Sequence, residues 1–272
     1  TLRDELAPHV SLPTLLERSH AKSDNYGFNF DYLLRDWSDD PVASYEAERV
    51  VALLDIALSH CEPNNSDATN SNALVLGAAL ARYGVELQAR GKRVVCVERS
   101  LGHVLHFKNL LSRSVQFWQI QTLNLTSDND RLTKITARIP EKLLEHARAL
   151  EYVWADATEL PLAESSFDAV WSIYFTDVIP LDVLFKKTRK ILRENGYFIH
   201  IGPLQYHHSD MSQHLSQDDL VDEFARQNFE VVHVSTDLST QAPIENRLLS
   251  QHQYVNSLIV ARYLGEGIAS DE

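Results

Sequence analysis

The 272-residue sequence predicts an α/β fold: a buried, mainly parallel sheet with helices on both faces. Three observations lead there. From residue 73 onward, short apolar runs alternate with helical patterns. Those runs are nearly continuously apolar, as strands covered on both faces must be. The chain then closes with one helical segment and two β-rich pieces, which allows an antiparallel hairpin on the sheet edge. With 44% hydrophobic residues, the chain can bury a substantial core.

Taken in order, residues 1–40 are mixed, with aromatics in "NYGFNFDYLLRDW". "PVASYEAERVVALLDIALSH" has helical periodicity from Pro41, which suits a first helical turn. "CEPNNSDATNSN" is a cluster of polar turn formers and marks the clearest linker. It divides a helical extension, residues 1–62, from a domain over residues 63–272. In that domain "ALVLG" (73–77) reads as the first strand and "LARYGVELQARG" (80–91) as a helix closed by Gly91. "RVVCVE" (93–98) is the second strand, followed by helical "LGHVLHFKNLLSRS". "LEYVWAD" (150–156) and "FDAVWSIYF" (167–175) are the third and fourth. "LDVLFKKTRKILRENG" (181–196) is an amphipathic helix stopped by Asn195-Gly196, and "YFIHIGP" (197–203) the fifth strand. Helix "SQDDLVDEFARQN" leads to the β pieces "FEVVHVST" and "YVNSLIVARYL". Residues 113–148 fit no place in this alternation and read as an insertion with some helix.

Composition removes several function classes. A net charge of −13 without a basic block argues against nucleic-acid partners. Cys61 and Cys96 make no CxxC or other metal spacing, and a reduced cytoplasmic setting is expected. No apolar run reaches the roughly 18–20 residues of a membrane span. The opening "TLRDELAPH" has no basic-then-apolar pattern, so no signal peptide is expected.

Sheets of this kind bind ligands at the carboxyl ends of their strands. Gly77 stands at the first such end, where backbone approach favours glycine; a tight structural corner explains it equally well. Alanine at 79 and 81 argues against a pyrophosphate pressed onto the backbone, and less against S-adenosylmethionine (SAM), which has no phosphate. Glu98 ends the second strand about 20 residues later, the position from which a carboxylate can accept both hydroxyls of a ribose. Asp156-Ala157 follows the third strand, where an acid can receive an adenine amino group and the next N–H a ring nitrogen. The succession of strand, acidic turn, "LP" and "SFDAVW" recurs in methyltransferases. The closing hairpin is likewise usual for class I methyltransferases and unusual for dinucleotide dehydrogenases, which leaves an NAD-linked oxidoreductase a weak alternative. Asp168 reads as support for the start of the fourth strand.

"FDYLLRDWSDD" together with "IGPLQYHH" resembles the carnosine N-methyltransferase family, the N2227-like group of SAM-dependent methyltransferases. The resemblance covers roughly residues 25–264 and implies a Rossmann-like class I methyltransferase domain whose N-terminal helical extension covers the cofactor site. The family's loop reads roughly "GAGLGR"; here it is Gly77-Ala78-Ala79-Leu80-Ala81-Arg82, which implies a SAM site with narrowed clearance. The resemblance implies that Arg35 reaches the SAM carboxylate, with Tyr32 at a position where relatives have glutamine. It places Gly77 on the methionine portion, Glu98 on the ribose and Asp156 with Ala157 on the adenine. Ile173 falls where relatives have a small residue beside the cofactor. Asp177, His207 and Tyr254 match positions lining an imidazole pocket.

The chemistry agrees with that grouping. A neutral imidazole has one N–H and one lone pair. An acceptor such as Asp177 holding the N–H leaves the other nitrogen facing the methyl group and stabilises the charge that develops on the ring. Each residue also has a plain reading: Asp177 as a cap for the helix near Pro180, His207 as a loop histidine, Tyr254 as a strand aromatic. Asp36-Trp37 reads as scaffold for Arg35. His207, His208, Asp210 and His214 in "YHHSDMSQH" fit no metal-binding spacing, and no metal is expected. The expected function is methyl transfer to an imidazole nitrogen of a small histidine-derived compound such as histidine, a histidine dipeptide or a modified histidine. A methyltransferase for a different small amine, or a catalytically silent methyltransferase fold kept for binding or regulation, are the alternatives.

Overall fold

The computed structural model describes residues 29–41, 43–61, 71–120, 125, 127, 132–208, 210–240 and 253–265. Its centre is a seven-stranded sheet built from β1 (Asn72–Leu76), β2 (Arg93–Glu98), β5 (Glu151–Trp154), β6 (Phe167–Ile173), β7 (Leu192–Gly202), β8 (Phe229–Thr240) and β9 (Gln253–Tyr263). The order is β5-β2-β1-β6-β7-β9-β8. β5 through β7 run parallel, and β9 pairs antiparallel with both β7 and β8. This is the Rossmann-like class I methyltransferase arrangement expected from the sequence, closing hairpin included. The chain reverses direction of travel between β1 and β6, so the carboxyl ends of those two strands flank the crevice.

Helices α1 (Phe30–Trp37), α2 (Tyr45–Cys61), α3 (Arg82–Ala89) and α5 (Glu141–Ala149) contribute to one core, with Phe107 and Leu110 of α4 (Leu101–Leu110). On the opposite face, α6 (Leu181–Ile191) and α7 (Gln217–Arg226) pack a second core. The strands feed both by strict alternation: Val75, Trp171, Ile199 and Val260 point one way, and Leu76, Val170, Phe198 and Ile259 the other. Phe185, Phe198, Phe224 and Phe229 form a ring-on-ring cluster at 5.1–6.3 Å in the second core. Local sequence sets the ends. Asn29 caps α1, and Ser216 with Asp219 forms a reciprocal capping box on α7. Asp168 accepts the Asn72 N–H at 2.7 Å, supporting the starts of β6 and β1 together.

Three expectations are corrected. Pro41 lies in a turn and α2 begins at Tyr45, because the chain first crosses to Thr136, whose carbonyl accepts the Asp39 N–H. The helix expected to run to Gly196 ends at Ile191; Leu192 already pairs with Phe167, and Asn195, at φ +64, turns within a bulge before Tyr197 resumes the ladder. Residues 113–148 hold helix α5, but also an antiparallel pair, β3 (Val115–Ile120) with β4 (Leu132–Ala137). That pair is tied to the end of α1 by a bridge between Ser38 and Ala137 and by the Arg138 N–H to Trp37 carbonyl bond, 2.8 Å. Among the described residues, no helix is long and apolar enough to cross a membrane.

Candidate active site

At the carboxyl end of β1 the chain turns through Gly77, at φ +58, and a Cβ there would stand 2.2 Å from the Phe175 ring. Both conformation and space therefore require glycine. The next two positive-φ residues are alanines: Ala79 at +46 and Ala81 at +62. The loop follows a glycine path without the glycines, at a cost of about 1–2 kcal/mol per residue. Surrounding bonds hold it there. Ala78 N–H reaches the Val97 carbonyl at 3.0 Å, and Ala79 N–H reaches Glu98 Oε2 at 2.9 Å. The Tyr152 hydroxyl donates to the Ala79 carbonyl, and Trp37 Nε1 to the Leu80 carbonyl at 2.9 Å. Of the two alanines, Ala79 lines the cavity beside this loop, whereas Ala81 is fully buried and packs into the helical core.

A cavity of about 270 Å³ opens beside this loop. Tyr32, Arg35, Gly77, Glu98, Asp156, Ala157 and Ile173 all line it, so one space collects residues from α1, β1, β2, β6 and the turn after β5. Glu98 is fixed by the Ser100 N–H at 2.7 Å as well as by Ala79, and His103 Nδ1 stands 3.6 Å from its Oε1. Burial pushes the Glu98 carboxyl up, but hydrogen bonds from His103 and from the Ser100 and Ala79 amides outweigh it and hold the acid below its ordinary range. Asp156 Oδ1 accepts the Thr158 N–H and hydroxyl, both at 2.8 Å, and Arg99 stands 3.7 Å from Oδ2. Burial again opposes ionisation there; the Thr158 bonds and Arg99 prevail and keep the carboxylate charged.

The opposite end of the cavity is built around Arg35. Its guanidinium lies 4.9, 5.3 and 5.7 Å from the ring centres of Tyr32, Tyr174 and Tyr83. Nε donates to Asp36 Oδ1 at 2.7 Å, and Nη1 stands 4.0 Å from Glu46 Oε1. Burial works against the charged form, yet the adjoining Asp36 carboxylate holds the guanidinium well above its usual value. Glu46, on α2, is pushed up by burial, partly offset by Arg35. Asp36 also accepts Arg82 Nη1 through its carbonyl at 2.9 Å, while Arg82 Nη2 pairs with Glu48 at 2.7 Å and Glu86 at 3.0 Å. The "RDW" segment is thus joined side chain by side chain to the loop and helix that follow β1.

Asp177, His207 and Tyr254 do not line this cavity. Asp177 is buried in the segment after β6 whose Tyr174, Phe175, Val178 and Ile179 do line it. Its Oδ2 accepts the Gln205 N–H at 2.9 Å, and its carbonyl the His207 N–H at 2.7 Å. These bonds bring the Asp177 and His207 segments together. Asp177 does not cap α6, whose N-cap is Pro180. The His207 side chain is exposed. Tyr254 is half-buried near the start of β9; burial and the charge of Glu46 push its hydroxyl up. Nearby, the Tyr206 and His208 rings pack against His214 at 4.9 and 5.1 Å. Among the described residues, no group of three or more His, Cys, Asp or Glu could hold a metal ion.

Sequence reasoning missed Tyr83, His103, Tyr174 and Phe175 as cavity residues. Tyr174 had a faint signal, since it follows a strand end; its φ of +53 marks a strained turn at the cavity wall.

Comparison with known proteins bears on the whole assembly. The family model described as carnosine N-methyltransferase matches residues 17–264. A carnosine N-methyltransferase of Dictyostelium discoideum is 30% identical over 148 residues; the match covers 49% of this chain and 31% of that protein's length. The PH0226 protein of Pyrococcus horikoshii OT3 superposes with a TM-score of 0.50 at 16% identity, covering 87% of this chain and all of that one (100%). The MccD protein gives a TM-score of 0.50 at 15% identity, over 80% of this chain and 97% of its own. These two share the fold.

Proposed function

The chain belongs to the carnosine N-methyltransferase family, and from that premise we propose that it transfers a methyl group from SAM to an imidazole nitrogen of a small histidine-derived compound. Family and fold imply SAM as the methyl donor. The cavity is compatible with it. Gly77 leaves backbone room that a Cβ would fill, Arg35 offers a cation to a carboxylate, and Glu98 and Asp156 offer ionised acceptors at the other end. In this reading Glu98 holds the ribose, Asp156 and Ala157 the adenine, and Ile173 the wall between them and the reacting end. α1 brings Tyr32 and Arg35 to the cavity wall, and in this reading the N-terminal extension covers the site.

When bound, SAM supplies an electrophilic methyl group on a sulfonium. The chain's own work is to place the acceptor. Among the described residues no hydrogen bond uses Asp177 Oδ1, which leaves it for the imidazole N–H. That bond fixes the tautomer and turns the opposite lone pair toward the cavity. It also stabilises the positive charge that grows on the ring as the N–C bond forms and the S–C bond breaks, leaving a neutral thioether. The same carboxylate can then pass the ring's N–H proton to water. His207 and Tyr254 orient the ring or hold a carboxylate or amide of the acceptor. No strong base is required beforehand, because a neutral imidazole is nucleophilic near its pKa of about 6.5.

The observation that carries this reading is the collection of all seven cofactor-site candidates in one cavity, with Asp177 in the segment whose Phe175 and Val178 line it. The test is a mass-spectrometric screen of histidine derivatives with isotope-labelled SAM. A singly methylated imidazole product is expected, and Asp177→Asn should lower turnover at least about 100-fold with SAM affinity nearly unchanged. Methylation of an α-amine instead would move the acceptor class, and unchanged turnover would remove Asp177 from the mechanism. A catalytically silent fold is the second reading, motivated by the alanines at 79 and 81. Absence of SAM binding by calorimetry at millimolar concentration would favour it. A small-molecule partner and a cytoplasmic setting accompany the leading proposal.

A further inference from the structure

We infer that Tyr83 is a positioning residue for the cofactor, its phenolic hydroxyl adding a third donor to the carboxylate site that Arg35 begins. This rests on the SAM reading above. Three observations lead to it. Tyr83, in the first turn of α3, lines the cavity at the Arg35 end, its ring centre 5.7 Å from the guanidinium carbon. The side chain is 6% exposed, and among the described residues its hydroxyl has no hydrogen-bond partner. Arg35, finally, directs Nε to Asp36, and among the described residues no hydrogen bond uses its Nη1 or Nη2.

A buried phenol with no partner is costly, and a protein retains such a group where a ligand completes it. The local charges specify what that ligand group must be. Asp36 and Glu46 already face the guanidinium, so the end of the cavity is no reservoir of surplus positive charge. A carboxylate arriving here needs neutral donors beside the two guanidinium nitrogens, and Tyr83 is one. Tyr32 meets the same guanidinium with its ring face, 4.9 Å away, which orients the cation by cation–π attraction. Tyr83 therefore supplies the hydrogen bond and Tyr32 the stacking.

Tyr83→Phe deletes the hydroxyl alone. Binding is measured by calorimetry with S-adenosylhomocysteine, which carries the amino-acid carboxylate, and with 5′-methylthioadenosine, which lacks it. The expected result is about 10-fold weaker binding of the first, a hydrogen bond to a charged group, and unchanged binding of the second. The melting temperature of the ligand-free variant should equal or exceed that of the wild type, because an unpaired buried hydroxyl has been removed. Equal loss for both ligands, no loss for either, or a lowered melting temperature in the free protein would each overturn the role. Failure of the wild type to bind S-adenosylhomocysteine would instead overturn the SAM reading itself.

Discussion

The two faces of the central sheet solve different problems. Under α6 and α7 the core is nearly all hydrocarbon: Phe185, Phe198, Phe224 and Phe229 interlock with Leu184 and Leu220. Under α1, α2 and α3 the core also holds buried Asp36, Glu46, Arg82 and Glu86 with half-buried Arg35, partly paired as Arg35–Asp36 and Arg82–Glu86 beside the cavity. Buried ion pairs add little net stability, since desolvation cancels most of the attraction. The difference teaches that the phenylalanine face stabilises by hydrocarbon burial alone, while the other face adds to its own apolar core ion pairs of little net stability that line up beside the candidate cofactor cavity.

The largest effect should come from breaking the contrast at its apolar side. Phe185→Ala should lower unfolding free energy by about 3–5 kcal/mol in denaturant titration, and leave the S-adenosylhomocysteine affinity of the folded fraction unchanged. Arg35→Met should do the reverse in binding, weakening that ligand about 100-fold. If Phe185→Ala also changed affinity, the faces would not be separable.

A smaller effect sharpens the contrast through its exception, a polar chain on the phenylalanine side. His200 Nδ1 meets Thr176 Oγ1 at 2.8 Å, and Thr176 meets Ser172 at 2.7 Å. Burial lowers the His200 pKa to about 4. The unfolded chain takes up its proton near pH 6.5, so between those values the unfolded state holds more protons and stability falls as pH drops. The loss should approach about 3 kcal/mol by pH 4. His233 is also depressed, by burial and then His60, so melting curves of His200→Asn isolate the His200 share. Glu98 acts in a separate window. Its stabilisation is full above the unfolded pKa of about 4.3 and disappears only as pH falls through its lower folded value. A wild-type melting temperature that is flat between pH 6.5 and 5 would contradict the His200 assignment.

The smallest effect belongs to the loop. Ala81→Gly should raise the melting temperature by roughly 2 °C, by relieving a left-handed alanine, without altering affinity, since Ala81 faces the core. A change in affinity with no change in melting would return Ala81 to the ligand side.

Much of this was legible in the sequence for a definite reason. Gly77, Glu98 and Asp156 are read from strand ends, and strand ends follow from local hydrophobic runs. The β3–β4 pair was hidden because Val115–Ile120 is largely half-exposed and its partner begins a dozen residues later, so neither strand shows a clear buried face. The tyrosine enclosure of Arg35 was hidden more deeply. Tyr32, Tyr83 and Tyr174 come from three distant segments, and nothing local in any of them announces that they meet.

The Trp37 indole bond to the Leu80 carbonyl has a consequence for how the protein comes into being. One of the bonds that hold the turn after β1 on its left-handed path thus comes from a residue more than 40 positions earlier. The loop's full set of bonds is therefore complete only once α1 has docked. Trp37→Phe would keep the helices and both cores and delete this bond alone. The defect should register in calorimetry as weaker S-adenosylhomocysteine binding by a folded protein.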